Sequence, residues 1–159
     1  MNSTPDELIA AVEIEASPST VWSLVTDVAR MASWSPQVVK TVVLGSPLRQ
    51  GTWFLNVNHK GKLHWPTTAR VTRFVPHTDF AFRTTENFTV WSFHLEPIPG
   101  PAGALHTRLT QKRETPNGIS PASKILTRLA LGGEKRFTAE LQLGMEETLA
   151  TIKTEAEAL

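Results

Sequence analysis

The first part of the chain changes from a strand pattern to a helix pattern. Apolar side chains occupy every second position of residues 8–16, with Glu13 and Glu15 between them, which predicts a half-buried strand. Ser17 and Pro18 follow, and a serine N-cap before a proline at the first helical position is typical of a helix start. Apolar residues at helical spacing then predict a helix and a second short turn that ends at a proline. They are Val21, Val25, Val28, Met31 and Trp34, and the proline is Pro36.

The middle of the chain predicts six further strands. Turn-forming residues recur there and separate runs that are rich in Val, Thr, Trp and Phe. The predicted strands are 38–44, 52–59, 63–74, 79–85, 88–96 and 104–113. Because the gaps between them are short, an antiparallel meander is favoured over parallel strands joined by helices.

The period becomes helical again from Pro121 onward. One apolar patch holds Ile125, Leu126 and Leu129, and a second follows beyond Gly132 and Gly133. The second patch consists of Phe137, Leu141, Met145, Leu149 and Ile152. We expect the glycine pair to kink or interrupt the helix, because glycine lowers helix stability. The predicted order is therefore β-α-α-β6-α in a single domain, 1–159.

Composition narrows the class of protein. Forty per cent hydrophobic residues in 159 predict one soluble globular domain, and no stretch approaches the roughly 18 apolar residues of a membrane span. Cysteine is absent, which excludes disulfides and thiolate chemistry. Residues 1–6 contain no apolar signal segment, so a cytoplasmic location is expected. The net charge of +1 argues against nucleic-acid binding.

This order of elements, together with several short segments, resembles the START-like superfamily and within it the polyketide cyclase/dehydrase branch, often called SRPBCC. The resembling segments are Ser17–Asp27, Trp34–Pro36, Gly51–Val71, Trp91–Pro97 and Leu143–Leu149. The resemblance implies the α+β helix-grip fold, also known from the birch-pollen allergen. In this fold a curved antiparallel sheet wraps around a long C-terminal helix and leaves a cavity between them. The family includes aromatic cyclases and lipid carriers, so the fold alone does not determine the function.

Strand alternation, combined with this fold, predicts which side chains face the cavity. The apolar side of each strand is expected to face inward, with Thr67 and Thr107 orienting the polar end of a ligand. The predicted ligand-binding residues are Phe54, Asn58, Trp65, Thr67, Phe80, Phe82, Trp91, Phe93, Thr107, Leu109, Phe137, Leu141 and Met145. Asn56, Thr84 and Gln111 would complete the polar lining. The third strand is ambiguous, because Trp53, Leu55 and Val57 form a competing apolar set.

The side chains on the predicted inward strand faces do not form a set of catalytic residues. None of the five histidines has the spacing of a metal motif, and His64, His94 and His106 fall on polar strand faces. No metal or other cofactor is therefore predicted. The chain has no Gly-x-Ser-x-Gly motif and no tyrosine. Glu86 lies at a strand end where exposure is expected. The arginines Arg70, Arg83 and Arg108 would donate to a substrate oxygen only if the strand faces were reversed.

Three functions remain open at this point. The favoured one is non-catalytic binding or carriage of a small hydrophobic molecule, namely a lipid, an isoprenoid or a polyketide-like aromatic. The second is a polyketide aromatase/cyclase or dehydrase. The third is a regulatory interaction protein whose cavity has collapsed, in which the aromatic residues simply fill a core.

A cluster of basic residues near the start of the last helical region raises the question of a membrane partner. Contact with an anionic membrane is one interpretation, and ordinary solvated charge is the favoured one. The cluster consists of Lys124, Arg128, Lys135 and Arg136.

Overall fold

The computed structural model describes residues 7–116, 120, 121, 123, 125 and 133–159. In these residues a curved seven-stranded antiparallel sheet packs around a long C-terminal helix. The strands are β1 Leu8–Ile14, β2 Val38–Leu44, β3 Trp53–Lys60, β4 Leu63–Val75, β5 Asp79–Thr84, β6 Val90–Pro99 and β7 Leu105–Glu114. The helices are α1 Pro18–Val25 and α2 Glu134–Glu157, with 3-10 turns at Val28–Ser33 and Pro101–Gly103. The α+β helix-grip fold predicted from the sequence is confirmed.

The sheet has the order β1-β7-β6-β5-β4-β3-β2, and each neighbouring pair is antiparallel. β2 to β7 follow one another as a meander, as the short predicted turns require. β1 returns to pair with β7, so that Val12 lies opposite Leu109. The connection from β1 to β2 runs through α1 and the first 3-10 turn. The helix and the turn therefore lie together at one end of the enclosed space.

The start of α1 follows the predicted capping pattern. The Ser17 hydroxyl accepts a hydrogen bond from the Thr20 backbone N–H at 3.3 Å, and Pro18 occupies the first helical turn. At the other end, the Thr26 hydroxyl donates to the Trp22 carbonyl at 2.7 Å. The Ser17 cap pairs a backbone N–H that has no partner within the helix, whereas the Trp22 carbonyl also accepts the Thr26 backbone N–H at 3.1 Å.

β6 is longer than predicted and continues through two prolines. Leu95 donates its N–H towards the β5 side, to the carbonyl of Thr78, and residues at every second position share that direction. The backbone nitrogens of Pro97 and Pro99, which carry no hydrogen, therefore face the side where β5 has already ended. β5 pairs with β6 only as far as His94. No ladder hydrogen bond is lost, and the strand continues.

The third strand has its even-numbered residues inward. Phe54 is completely buried, whereas Trp53 is 42% exposed and lies on the outer face, with the Arg70 guanidinium carbon 5.6 Å from its ring centroid. This resolves the ambiguity in the sequence pattern. Asn56 also faces inward, where it is buried.

α2 begins directly after Gly133, whose φ of 92° is a left-handed conformation that favours glycine. Its apolar stripe follows the predicted spacing, and Leu141, Met145, Leu149 and Ile152 are all buried against the sheet. No helix in the described part of the chain is both long and apolar enough to cross a membrane. The predictions for Leu126, Leu129 and Gly132 lie outside the described residues.

Candidate ligand pocket

A cavity of about 130 Å³ lies between the inner face of the sheet and the first half of α2. The sheet contributes residues from β2 to β7, and the 3-10 turn after α1, with the segment that follows it, closes one end. The lining residues are Met31, Trp34, Ser35, Gln37, Val38, Asn56, Asn58, Trp65, Thr67, Phe82, Thr84, Asn87, Trp91, Phe93, Gln111, Arg113, Ser123, Phe137, Leu141 and Thr148. The wall thus combines six aromatic rings with a larger number of amides and hydroxyls and one guanidinium.

Two asparagines on β3 are held in place by side chains on neighbouring elements. Asn56 accepts a hydrogen bond at Oδ1 from the Thr41 hydroxyl at 2.6 Å, and its Nδ2 lies 3.6 Å from the sulfur of Met31. Asn58 donates from Nδ2 to the Thr67 hydroxyl at 2.9 Å and to the Trp65 carbonyl at 3.2 Å. These contacts orient the polar side of the wall before any ligand is present.

Two other polar groups of wall residues are buried without a hydrogen-bond partner. Gln111 is 6% exposed and its Oε1 accepts no hydrogen bond from the described part of the chain, while Trp34 is 3% exposed and its indole N–H donates none to it. Most buried polar groups in folded proteins are paired, since an unpaired one loses its hydration without compensation. Both side chains line the same cavity, so something that enters the cavity is a candidate partner for each.

Arg113 is a buried cation in this wall. The alternation on β7 that predicts Gln111 inward extends two residues further, to position 113 on the same face. The signal was therefore present: two residues beyond an inward glutamine on a strand lies another inward side chain. The structure places Arg113 opposite Trp91 of β6.

Eight of the thirteen predicted ligand-binding residues line the cavity. They are Asn58, Trp65, Thr67, Phe82, Trp91, Phe93, Phe137 and Leu141. The additional polar positions Asn56, Thr84 and Gln111 are also in the wall.

The other five do not line it, and packing against other elements explains each case. Phe80 lies beneath α1, 6.3 Å from the Trp22 ring centroid, and Phe54 packs edge-on against Phe82 at 5.0 Å. Leu109 is fully buried where β7 pairs with β1. The Thr107 hydroxyl, predicted to orient a ligand, donates instead to the Ala16 carbonyl at 2.8 Å. Met145 lies one turn further along α2, in the wall of a smaller adjoining hollow of about 30 Å³.

The wall also includes residues that strand alternation does not reach. Met31 and Trp34 belong to the short turn after α1, whose apolar spacing predicted a helix but not its position over the sheet. Thr148 lies on α2 between two residues of the apolar stripe, and its hydroxyl donates to the Gly144 carbonyl at 2.8 Å. Polar residues of this kind give no periodic signal in the sequence.

The residues considered for catalysis lie elsewhere. None of the five histidines lines the cavity, and Arg70 and Arg83 stack on the outer-face rings of Trp53 and Phe88. Glu86 is exposed and accepts hydrogen bonds from the backbone N–H and the hydroxyl of Thr68. Within the described ranges, no group of three or more His, Asp or Glu side chains has the arrangement of a metal site.

A second recess lies between β1 and α2 and is wider, at about 580 Å³, but more open to solvent. Side chains of α2 cross it to the backbone of β1. Gln142 donates to the Ile9 carbonyl at 3.0 Å, and Lys153 donates to the Glu13 carbonyl at 2.8 Å. This recess is therefore a bridged junction between helix and edge strand, and we regard the smaller, more enclosed cavity as the candidate site.

The basic cluster is described in part. Lys135 and Arg136 are exposed on the first turn of α2, and the Arg136 guanidinium lies 3.6 Å from the Glu140 carboxylate. Lys124 and Arg128 lie outside the described residues. Membrane contact by this cluster stays a prediction.

Comparison with solved structures supports the architecture. The di-domain ARO/CYC protein BexL from the BE-7585A biosynthetic pathway is 18% identical, with a TM-score of 0.69 over 98% of this chain and 52% of that chain. The di-domain ARO/CYC protein StfQ from the steffimycin biosynthetic pathway is 10% identical, with a TM-score of 0.68 over 96% and 50%. The chain thus spans about half the length of these two proteins. DR_A0006 from Deinococcus radiodurans is 13% identical, with a TM-score of 0.67 over 96% and 98%.

Identities this low establish the fold alone, and no curated protein matches the chain in sequence. The sequence profile of a family provides the stronger result. The family described as "Polyketide cyclase / dehydrase and lipid transport" matches residues 7–157, which is nearly the whole chain. The cavity between a curved sheet and a C-terminal helix agrees with the resemblance found in the sequence. The chain belongs to the polyketide cyclase/dehydrase and lipid transport family of the SRPBCC superfamily.

Proposed function

We propose that this protein binds a small, largely apolar molecule of about one ring in the cavity between the sheet and α2. The observation that carries the proposal is the cavity itself, about 130 Å³ in volume, with six aromatic rings among its lining side chains. An apolar protein cavity of about 150 Å³ is large enough to bind benzene. Pockets for drug-sized ligands are larger, about 300–1,000 Å³.

The volume narrows the ligand classes that the family suggests. A lipid, an isoprenoid or a multi-ring polyketide-like aromatic would place one ring or a short piece of chain in this space. The remainder would lie at the mouth, or would require α2 to move away from the sheet. Carriage of such a molecule requires the helix to move at a hinge, and the left-handed backbone at Gly133 fits that role. We propose carriage separately from binding.

Native mass spectrometry combined with thermal melting tests the binding proposal. We expect the purified protein to show an extra mass that disappears on denaturation, or, if it is purified empty, a melting temperature that rises with added toluene. A ligand that binds only the folded state stabilises it in proportion to the logarithm of its concentration above the dissociation constant. A bare mass together with no change in melting would contradict the proposal.

Arg113 favours a second candidate function, that of a polyketide aromatase/cyclase or dehydrase. A guanidinium buried in the wall is a suitable donor to an oxygen that gains negative charge as an enolate forms. This candidate ranks second because the described part of the wall contains no carboxylate or histidine to remove the proton. Incubation with a linear poly-ketone thioester should show cyclisation faster than in buffer and slower with Arg113→Gln. Equal rates with and without protein would exclude this candidate.

The remaining alternative, an interaction protein with a collapsed interior, required the space between sheet and helix to be filled. The open volume of about 130 Å³ argues against it. The predicted cytoplasmic location stays a prediction.

A further inference from the structure

The unpartnered groups of Gln111 and Trp34 point to the polarity of the ligand. Gln111 lies on β7 opposite Phe93 of β6, and its side chain lines the same cavity as Trp34. Among the residues that the structure describes, Oε1 of Gln111 has no donor and Nε1 of Trp34 has no acceptor. The two groups thus have complementary needs that one small molecule can meet.

Two other polar side chains of the wall already have partners. The Thr148 hydroxyl donates its proton to the Gly144 carbonyl, and the Asn58 amide donates to Thr67 and Trp65. Their donors are therefore already used. A buried group that lacks a partner has lost hydration without gaining a hydrogen bond, so a ligand that pairs with it binds more tightly.

Gln111 has room to turn towards a ligand. Its side chain lines both the cavity and the adjoining hollow of about 30 Å³, so empty space lies on both sides of the amide. A glutamine side chain has several rotatable bonds, and a small rotation moves Oε1 without disturbing the strand. Trp34 is more rigid, and its N–H fixes the position at which an acceptor must lie.

We propose that the ligand is a single aromatic ring that bears a hydroxyl group. The hydroxyl donates a hydrogen bond to Gln111 Oε1 and accepts one from Trp34 Nε1, or two adjacent substituents of the ring share these functions. The inference rests on the proposed binding function and adds the ligand's hydrogen-bonding chemistry to it. A hydroxyl is the smallest substituent that both donates and accepts, and a phenol fits a space that holds about one ring.

The experiment is an NMR titration of the full chain with three probes of similar size: toluene, anisole and phenol. Toluene offers neither function, anisole offers an acceptor only, and phenol offers both. We expect affinity to rise in that order, by about three- to tenfold at each step, as for a single hydrogen bond. Trp34→Phe should remove the advantage of anisole over toluene. Gln111→Met should remove the advantage of phenol over anisole, measured as the ratio of their affinities within the same variant.

The outcomes separate the inference from the function on which it rests. If the three probes bind the wild-type protein equally well, ordered water already satisfies the two groups, and the inference is overturned while the proposed function stands. The same holds if phenol keeps its advantage in both variants. If none of the probes binds, the proposed function fails and the inference fails with it. A melting curve for each variant shows that it is folded before the titration.

Discussion

The Nδ2 atom of Asn58 donates a hydrogen bond to the hydroxyl of Thr67 across 2.9 Å, joining β3 and β4 at the cavity wall. Thr67 accepts in this contact, so its own proton stays available to a ligand. Both residues were predicted to contact ligand from strand alternation combined with the fold that the sequence resembles, although the face of the third strand was ambiguous. The contact pairs two polar side chains of the wall across neighbouring strands.

Replacing Thr67 with valine should destabilise the protein by about 1 kcal/mol, because Asn58 loses one of its two acceptors in a partly buried site. Thr67→Ser keeps the hydroxyl and should restore most of the stability. Thr72→Val on the exposed part of β4 is the matched control and should stay within about 0.5 kcal/mol of the wild type. Urea unfolding of the four proteins measures this. Equal losses for Thr67→Val and Thr72→Val would show that the Asn58 contact adds nothing.

Truncating Leu141 should enlarge the cavity and change which molecules it accepts. Leu141 is a buried wall residue on α2, and Leu141→Ala should lower the free energy of unfolding by about 2–5 kcal/mol. We expect the variant to bind 2-naphthol more tightly than the wild type does, because the added space admits a second ring. Calorimetric titration measures the affinity.

The control for this change lies two residues further along the same helix. Leu143 is 59% exposed, and Leu143→Ala should leave both stability and naphthol affinity nearly unchanged. An unchanged naphthol affinity in Leu141→Ala would mean that the cavity volume does not limit ligand size.

The predicted residues that do not line the cavity should behave as core residues. Phe80 is fully buried against Trp22 of α1, and its ring does not reach the cavity. Phe80→Leu should therefore cost about 1–2 kcal/mol of stability while leaving toluene affinity, measured on folded protein by NMR, within about twofold. A tenfold loss of affinity with little loss of stability would instead place Phe80 at the ligand.

Strand alternation predicted which face of the sheet is inward. It therefore assigned Trp65, Trp91 and Phe93 correctly to the wall. It does not predict how far each helix covers that face. Phe80 is covered by Trp22 of α1, and Leu109 is buried beside β1, so these two residues are part of the core although they share the inward face. The position of the cavity depends on contacts between residues far apart in sequence.

Polar wall residues were harder to predict for a different reason. Thr148 reaches the cavity from the side of a helix, where the apolar period carries no information about it. Trp34 ends a 3-10 turn that the apolar spacing predicted, but the spacing does not give the position of that turn over the sheet. Arg113 was missed although the alternation on β7 includes it, because a charged residue is not expected on a buried face. An inward arginine on such a strand is therefore informative about function.

The end of α2 should contribute to stability in a pH-dependent way. Lys153 donates to the Glu157 carboxylate at 2.6 Å and the Glu15 backbone N–H donates to it at 2.8 Å, and these bonds lower the pKa of Glu157. A carboxyl whose pKa is lower in the folded state stabilises the fold above its unfolded pKa and loses that contribution as the pH falls through the folded one. The melting temperatures of the wild type and Glu157→Gln should therefore differ at pH 7 and converge as the pH falls through the lowered pKa of Glu157. A constant difference across this range would show that ionisation of Glu157 is not involved.

The most direct test of the binding site is to locate a small aromatic probe by intermolecular NOEs to methyl groups in a labelled sample. Toluene should give NOEs to the methyl groups of Met31, Val38 and Leu141, which surround the cavity, and none to those of Ile9 and Val12 at the wider recess beside β1. NOEs to Ile9 and Val12 alone, or no NOEs at saturating toluene, would contradict the account, because the probe would then bind elsewhere or not at all.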